Sequence, residues 1–174
     1  MRTLFLLPLL LGCARHTWPD SDLAVADYVD PERYLGTWYE IASFPMGPQE
    51  GCTGTTATYS LRDDGNIEVY NRCMMDSLDG KVKDITGQAW IVDTDTNARL
   101  KVQFFWPFAA DYWILDVDPD YQWALVGHPE RAYLWVLSRA PQMDLDLYEQ
   151  LLTDLEEVHG YDLSPLQETL QPLE

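Results

Sequence analysis

From residue 34 onward, apolar and polar positions alternate in short runs rich in Val, Ile, Thr, Tyr, Phe and Trp, the period-two pattern of half-buried β-strands. Eight such runs cover residues 37–44, 54–62, 66–74, 83–92, 99–106, 111–117, 122–127 and 132–139. The breaks between them carry turn chemistry: Asp64-Gly65-Asn66, Leu78-Asp79-Gly80, Asp93-Thr94-Asp95-Thr96-Asn97, Asp118-Pro119-Asp120 and Gly127-His128-Pro129-Glu130. Links this short leave each strand beside the next and antiparallel to it. Eight strands in a meander are enough to close on themselves and so remove the edges that invite aggregation. The predicted class is all-β: an eight-stranded antiparallel up-and-down barrel.

After Pro141 the period changes. Leu145, Tyr148, Leu152, Leu155 and Val158 repeat at helical spacing, with Asp146, Glu149, Glu156 and Glu157 mostly on the other face. Asp144 is the natural N-cap and Gly160 the stop. An amphipathic C-terminal helix must bury its stripe, and the outside of the barrel is the apolar surface left for it. A second helical turn is expected at Ser164-Pro165, with Gln167 closing a capping box.

The other end reads as an address. Met1-Arg2-Thr3 is followed by a short apolar run from Leu4 to Leu11, in the manner of a secretory leader and well short of a bilayer span. The run ends in Leu10-Leu11-Gly12-Cys13, which resembles the bacterial lipobox, in which the Cys is acylated after cleavage. The expected organisation is a lipoprotein signal peptide over 1–12, a flexible lipidated tether over 13–33 and one folded domain over 34–174. Ala14, where a retention signal would have Asp, points by resemblance to the bacterial outer membrane, with the barrel facing the periplasm. In that oxidising compartment, Cys52 and Cys73 form a candidate disulfide. They flank the 59–67 hairpin, and pairing them requires the chain to bend near Gly51 or Gly54.

A net charge of −18 argues against nucleic acid as a partner, since such binding relies on neutralising phosphates with Lys and Arg. Lysine occurs only at Lys81, Lys83 and Lys101. Asp116-x-Asp118-x-Asp120 and Asp93-x-Asp95-x-Asn97 imitate the start of a calcium loop but lack its Gly and Glu, so they read as turns. The three histidines have no second ligand at metal spacing. Neither a nucleophile elbow nor a phosphate-binding glycine loop occurs, so no catalytic residues, metal or cofactor are assigned and the chain is read as a non-enzyme.

Two segments carry a family resemblance. Tyr34-Leu35-Gly36-Thr37-Trp38-Tyr39-Glu40-Ile41 opens the first strand, and Leu134-Trp135-Val136-Leu137-Ser138-Arg139-Ala140-Pro141 closes the last. Gly36-x-Trp38 with Arg139, eight strands between them and a helix after, resembles the lipocalins, in particular the bacterial outer-membrane lipoproteins and apolipoprotein D. The likeness spans residues 28 to 170. It implies that Arg139 lies across Trp38 at the closed end of the barrel, a favourable pairing of guanidinium and indole, with Gly36 turning beneath it. It also implies an interior that holds one small hydrophobic ligand, as in other barrels of that family.

Strand alternation then assigns the lining. Trp38 brings Glu40 and Ala42 inward. Tyr59 and Asn71, inward by resemblance to apolipoprotein D, bring Ala57, Val69 and Ile67. Phe104 brings Leu100, Val102 and Trp106; Trp113 brings Leu115; Trp135 brings Tyr133 and Leu137. The candidate ligand-binding set is Glu40, Tyr59, Asn71, Phe104, Trp106, Trp113, Leu115 and Trp135, with Glu40 expected to pair with Arg72 or Arg139 or to orient a headgroup. Expected partners are a fatty acid or lysophospholipid in the interior and the membrane through an acyl anchor on Cys13, with a homodimer as a further option. The alternative reading is a lipocalin-fold enzyme acting on an apolar oxygenated lipid such as a carotenoid.

Overall fold

A computed structural model describes residues 21–173; the leader and Cys13 lie outside the described residues. The eight strands are β1 (Gly36–Ser43), β2 (Cys52–Leu61), β3 (Ile67–Met75), β4 (Val82–Ile91), β5 (Arg99–Phe105), β6 (Phe108–Val117), β7 (Trp123–Gly127) and β8 (Leu134–Ser138). Each agrees with its predicted run to within three residues. Consecutive strands pair antiparallel, and β1 pairs both β8 and β2, so the sheet closes. The β1–β2, β3–β4, β5–β6 and β7–β8 connections form one rim, the mouth, and the remaining connections gather at the base.

The base is built around Trp38, which is fully buried. The Arg139 guanidinium lies over its ring, 3.7 Å from the centroid. The same guanidinium donates to the carbonyls of Arg33 (2.9 Å), Leu35 (2.9 Å) and Thr37 (2.8 Å), while the indole N–H donates to Tyr34 O at 2.8 Å. One flat cation thus satisfies a row of carbonyls that the turn into β1 leaves unpaired. Gly36 has φ +95°, and a Cβ there would stand 3.3 Å from Arg139 Nη1.

Residues 21–33 differ from the expected flexible tether. Ser21 Oγ donates to Pro129 O on the rim at 2.6 Å, Leu23 and Val29 are buried, and Val29 N donates to Thr96 O at the base at 2.8 Å. The segment therefore runs from the mouth down the outer wall and closes the base with helix α1 (Pro31–Tyr34). Asp30 caps α1 by accepting from the backbone N–H groups of Glu32 and Arg33, and Pro31 supplies a preset φ at its start. Pro and Asp, read as marks of a loose linker, here build a cap.

Helix α2 (Leu145–Glu157) starts at Asp144, whose side chain accepts from Leu147 N, as expected. Its buried stripe is Tyr148, Leu151 and Leu155, with Leu152 half-buried, whereas Leu145 and Val158 are exposed. Leu151 displaces them because the contact covers the middle two turns of the helix, from Tyr148 to Leu155, and leaves both ends in solvent. After Gly160, at φ +67°, Ser164-Pro165 makes a turn and not a helical one. Gln167 and Glu168 form a short strand, β9, on β1.

This C-terminal segment occupies a seam. β1 and β2 pair only from Gly36 to Tyr39 and then diverge towards the mouth. Thr169 N donates to Ile41 O on one side (2.9 Å) and Gly54 N donates to Leu170 O on the other (2.7 Å). Gln171 Nε2 spans both walls, donating to Glu40 O (2.8 Å) and Thr55 O (2.9 Å). The β2–β3 register shifts between Thr53 and Thr56, where Gly54 takes φ +57°. That bulge is the bend expected near Gly54, and Cys52 and Cys73 are bonded beside it with Cα atoms 5.4 Å apart.

Arg139→Ala removes both the indole stack and the charged donors that hold the base. It is expected to lower the unfolding free energy by roughly 2–4 kcal/mol, read from the denaturant midpoint, with Arg139→Lys recovering only part because a single ammonium cannot reach three carbonyls in a plane.

Candidate functional site

The side chains divide into two apolar clusters, one on each face of the sheet. Inside the barrel, Trp38, Tyr59, Ile67, Val69, Ala89, Leu100, Ile114, Ala124, Val126 and Leu137 pack together. Outside, Trp113, Leu115, Leu125, Leu134 and Val136 pack under α2 and the 21–26 segment. Tyr59, Asn71, Phe104 and Trp135 thus lie inside as expected, whereas Trp113 and Leu115 face outward, contrary to expectation. The register decides this: Leu100, an inward residue, stands opposite Tyr112, so Tyr112 and Ile114 point in and Trp113 points out. Both faces of β6 are covered from Tyr112 to Leu115, so that stretch is apolar throughout and alternation alone cannot assign its parity. On the outer face the Arg99 guanidinium lies 4.8 Å from the centroid of the Trp113 ring and pairs with Asp93 at 2.7 Å.

Trp106 is a second correction, being 86% exposed. β5 ends at Phe105, which pairs with Phe108, so Trp106 sits at the hairpin tip beyond the reach of strand alternation. Ala42 is a third. The β1–β8 register shifts between Glu40 and Ala42, and this irregularity turns Ala42 to the outer cluster.

Glu40 stands opposite Leu137 on the inward face and is buried. It meets neither Arg72 nor Arg139. Oε1 accepts from Ser43 Oγ (3.1 Å) and Thr169 Oγ1 (2.7 Å), and Oε2 from Gln49 Nε2 (2.9 Å). Both oxygens are therefore committed to joining β1, the β1–β2 connection and the C-terminal segment, beside a polar cleft of about 420 Å³ on the rim.

The lower half of the interior holds three phenols. Tyr112 Oη lies 2.9 Å from Tyr34 Oη and 2.8 Å from Tyr59 Oη. Burial pushes Tyr34 and Tyr112 well above the usual tyrosine range and Tyr59 up to about 12, so the group is neutral. Three hydroxyls joined by two hydrogen bonds leave one O–H with no acceptor inside the trio. Tyr34 and Tyr112 were absent from the sequence-predicted site; pairing with Leu100 would have revealed Tyr112, and the Asp30-Pro31 cap would have placed Tyr34 in a helix at the base.

Towards the mouth the lining is apolar and incompletely covered. Ala57, Asn71, Val102, Phe104, Tyr112 and Trp135 point inward yet are only half-buried. Tyr112 and Trp135 stack with centroids 6.3 Å apart, and Trp135 continues onto Tyr133 at 6.0 Å. Gly87 leaves room for the Phe104 ring, since a Cβ there would lie 2.6 Å from its Cδ1. Asn71 Oδ1 is buried without a hydrogen-bond partner.

The lipocalin-like domain model matches residues 29–171, nearly the whole of this barrel and its helix. The chain is a lipocalin. It is 44% identical over 161 residues to temperature-induced lipocalin-1 of Arabidopsis thaliana, covering 87% of this chain and 84% of that one. It is 38% identical over 164 residues to the outer membrane lipoprotein Blc of Escherichia coli K12, covering 94% and 91%. Among solved structures, insecticyanin from the tobacco hornworm Manduca sexta superposes with a TM-score of 0.67 at 22% identity, covering 85% and 84%, a likeness of fold. In this lipocalin the Gly36, Trp38 and Arg139 signature is assembled at the base and the half-buried lining lies above it.

A phenol whose pKa is raised by folding contributes stability that is intact below the ordinary value of 10 and is lost as pH rises through the folded value, about 12 for Tyr59. Unfolding free energy measured from pH 8 to 12 is therefore expected to fall above pH 10. Tyr59→Phe should flatten that fall by about 1.4 kcal/mol per pH unit; identical slopes would mean that the phenol is not held in a buried site.

Proposed function

We propose that this lipocalin binds one elongated hydrophobic molecule, a fatty acid or a lysophospholipid, in the upper half of its barrel and carries or stores it at the bacterial cell envelope without transforming it. One observation carries the reading: side chains that point into a closed barrel, Phe104, Val102 and Trp135 among them, keep accessible surface. Inward residues of a solid core would have none. Small hydrophobic ligands are what the family binds, and the lining supplies area for an acyl chain at about 0.8 kcal/mol per buried methylene, so that eight methylenes offset much of the cost of association. The few polar atoms, Asn71 Oδ1 and the spare phenol hydrogen, suit a molecule with one polar group.

Attachment to the outer membrane through acylated Cys13 belongs to the same proposal. The lipobox and the likeness to an outer membrane lipoprotein support it. Trp113, once counted in the lining, is assigned instead to the seat of α2 and should not contact ligand.

Phe104→Ala combined with Trp135→Ala is expected to weaken palmitate binding at least tenfold, by quenching titration or calorimetry, while thermal unfolding shifts by only a few degrees. Unchanged affinity removes the site. Mass spectrometry of an organic extract before and after incubation should return the same bound molecule, and a product would favour the enzyme reading.

A further inference from the structure

The β5–β6 hairpin tip has no counterpart in the interior site. Phe105, Trp106 and Phe108 are 68%, 86% and 78% exposed, and Phe105 pairs directly with Phe108, so three large aromatics project together from the rim. Val82, at the start of neighbouring β4, and Tyr133, in the β7–β8 connection, are exposed on the same rim. Soluble monomers rarely leave such a cluster in water without a partner for it.

Two further observations bear on the partner. Lys81 and Lys83, at the start of β4, share this rim with Glu50, Asp76, Asp79 and Glu130, and Lys101 lies lower on β5, paired with Asp111 at 2.8 Å, so the rim around the tip is not cationic and its partner need not be anionic. The chain also enters the fold at this rim, where Ser21 Oγ bonds Pro129 O and Asp22 pairs with Arg131 at 2.9 Å. Cys13 is eight residues before Ser21, a reach of at most about 28 Å. Exposed aromatic side chains close to an acyl anchor favour the headgroup boundary of a zwitterionic phospholipid bilayer, where the rings meet acyl chains.

We infer that the Phe105–Phe108 tip inserts into the interfacial zone of a phospholipid bilayer and holds the barrel mouth-down upon it. A lipid can then pass between leaflet and interior without crossing bulk water. The anchor on Cys13 would reinforce this orientation, but insertion of the tip does not require it, and the rim carboxylates Glu50, Asp76, Asp79 and Glu130 favour a zwitterionic over an anionic surface. The transfer route rests on the ligand reading above; the docking itself does not.

The test uses the full chain with phosphatidylcholine vesicles in which diacyl lipids are brominated along the acyl chains. Trp106 reports the tip. The parent is expected to show bromolipid quenching, Trp106→Phe to lose most of it while remaining vesicle-bound, and F105S/W106S/F108S to partition at least tenfold less while retaining palmitate affinity in solution. Quenching unchanged in W106F, or partitioning of the triple variant within twofold of the parent, overturns the inference. So does a Trp106-dependent dimer in sedimentation that is not quenched by vesicles, since the tip would then serve a second copy. Loss of palmitate binding with quenching intact in an otherwise unaltered tip would sink the interior site and leave the docking surface standing.

Discussion

The stacking of Arg139 on Trp38 is the constraint from which the rest of the molecule is arranged. A barrel of eight strands needs one end closed if its interior is to be a cup, and closing it forces the turn before β1 to bury carbonyls that no strand can satisfy. The guanidinium supplies donors for those carbonyls and a flat face for the indole, so one side chain directly after β8 locks the first strand. With the base sealed by Trp38, Tyr34 and α1, the lining above it need not interdigitate to exclude water. The half-buried ring of Phe104, Tyr112 and Trp135 follows from that division of labour.

The same sheet is used on both faces. Inside it presents the cup, and on part of its outside it presents a second core for α2 and the 21–26 segment. The central stretches of β6 to β8, Tyr112–Leu115, Trp123–Val126 and Leu134–Leu137, are therefore apolar on both faces, and they separate the outer core from the inward lining. Arg99 on Trp113 does for that outer wall what Arg139 does for the base: a cation covers the indole edge of a core.

Much of this was legible in the residues. Strand positions, the antiparallel meander and the Asp144 cap follow from local patterns of period and turn chemistry, the Gly36, Trp38 and Arg139 closure from the family resemblance, and the cysteine pair, with a bend near Gly51 or Gly54, from the expected oxidising compartment. The site was legible in part. Tyr59, Asn71, Phe104 and Trp135 obey strand parity from an anchored neighbour. Trp113 and Leu115 fail because a strand buried on both faces carries no alternation, Trp106 because parity stops where the ladder stops, and Ala42 because an irregularity in the ladder shifts phase by one residue. The 21–33 segment failed for a different reason: its order comes from hydrogen bonds to loops about 90 residues away, such as Asp30 N to Tyr121 Oη at 2.7 Å, which no window of sequence contains.

The segment from Gln167 to Gln171 acts as a gusset sewn between β1 and β2, and Glu40 is the stitch that fastens it. The girth of the mouth is consequently set by residues translated only after every barrel strand has been made. A newly made chain lacking this stretch would have an incomplete hem, so an affinity handle placed directly after it would pull on the very edge that gives the opening its width.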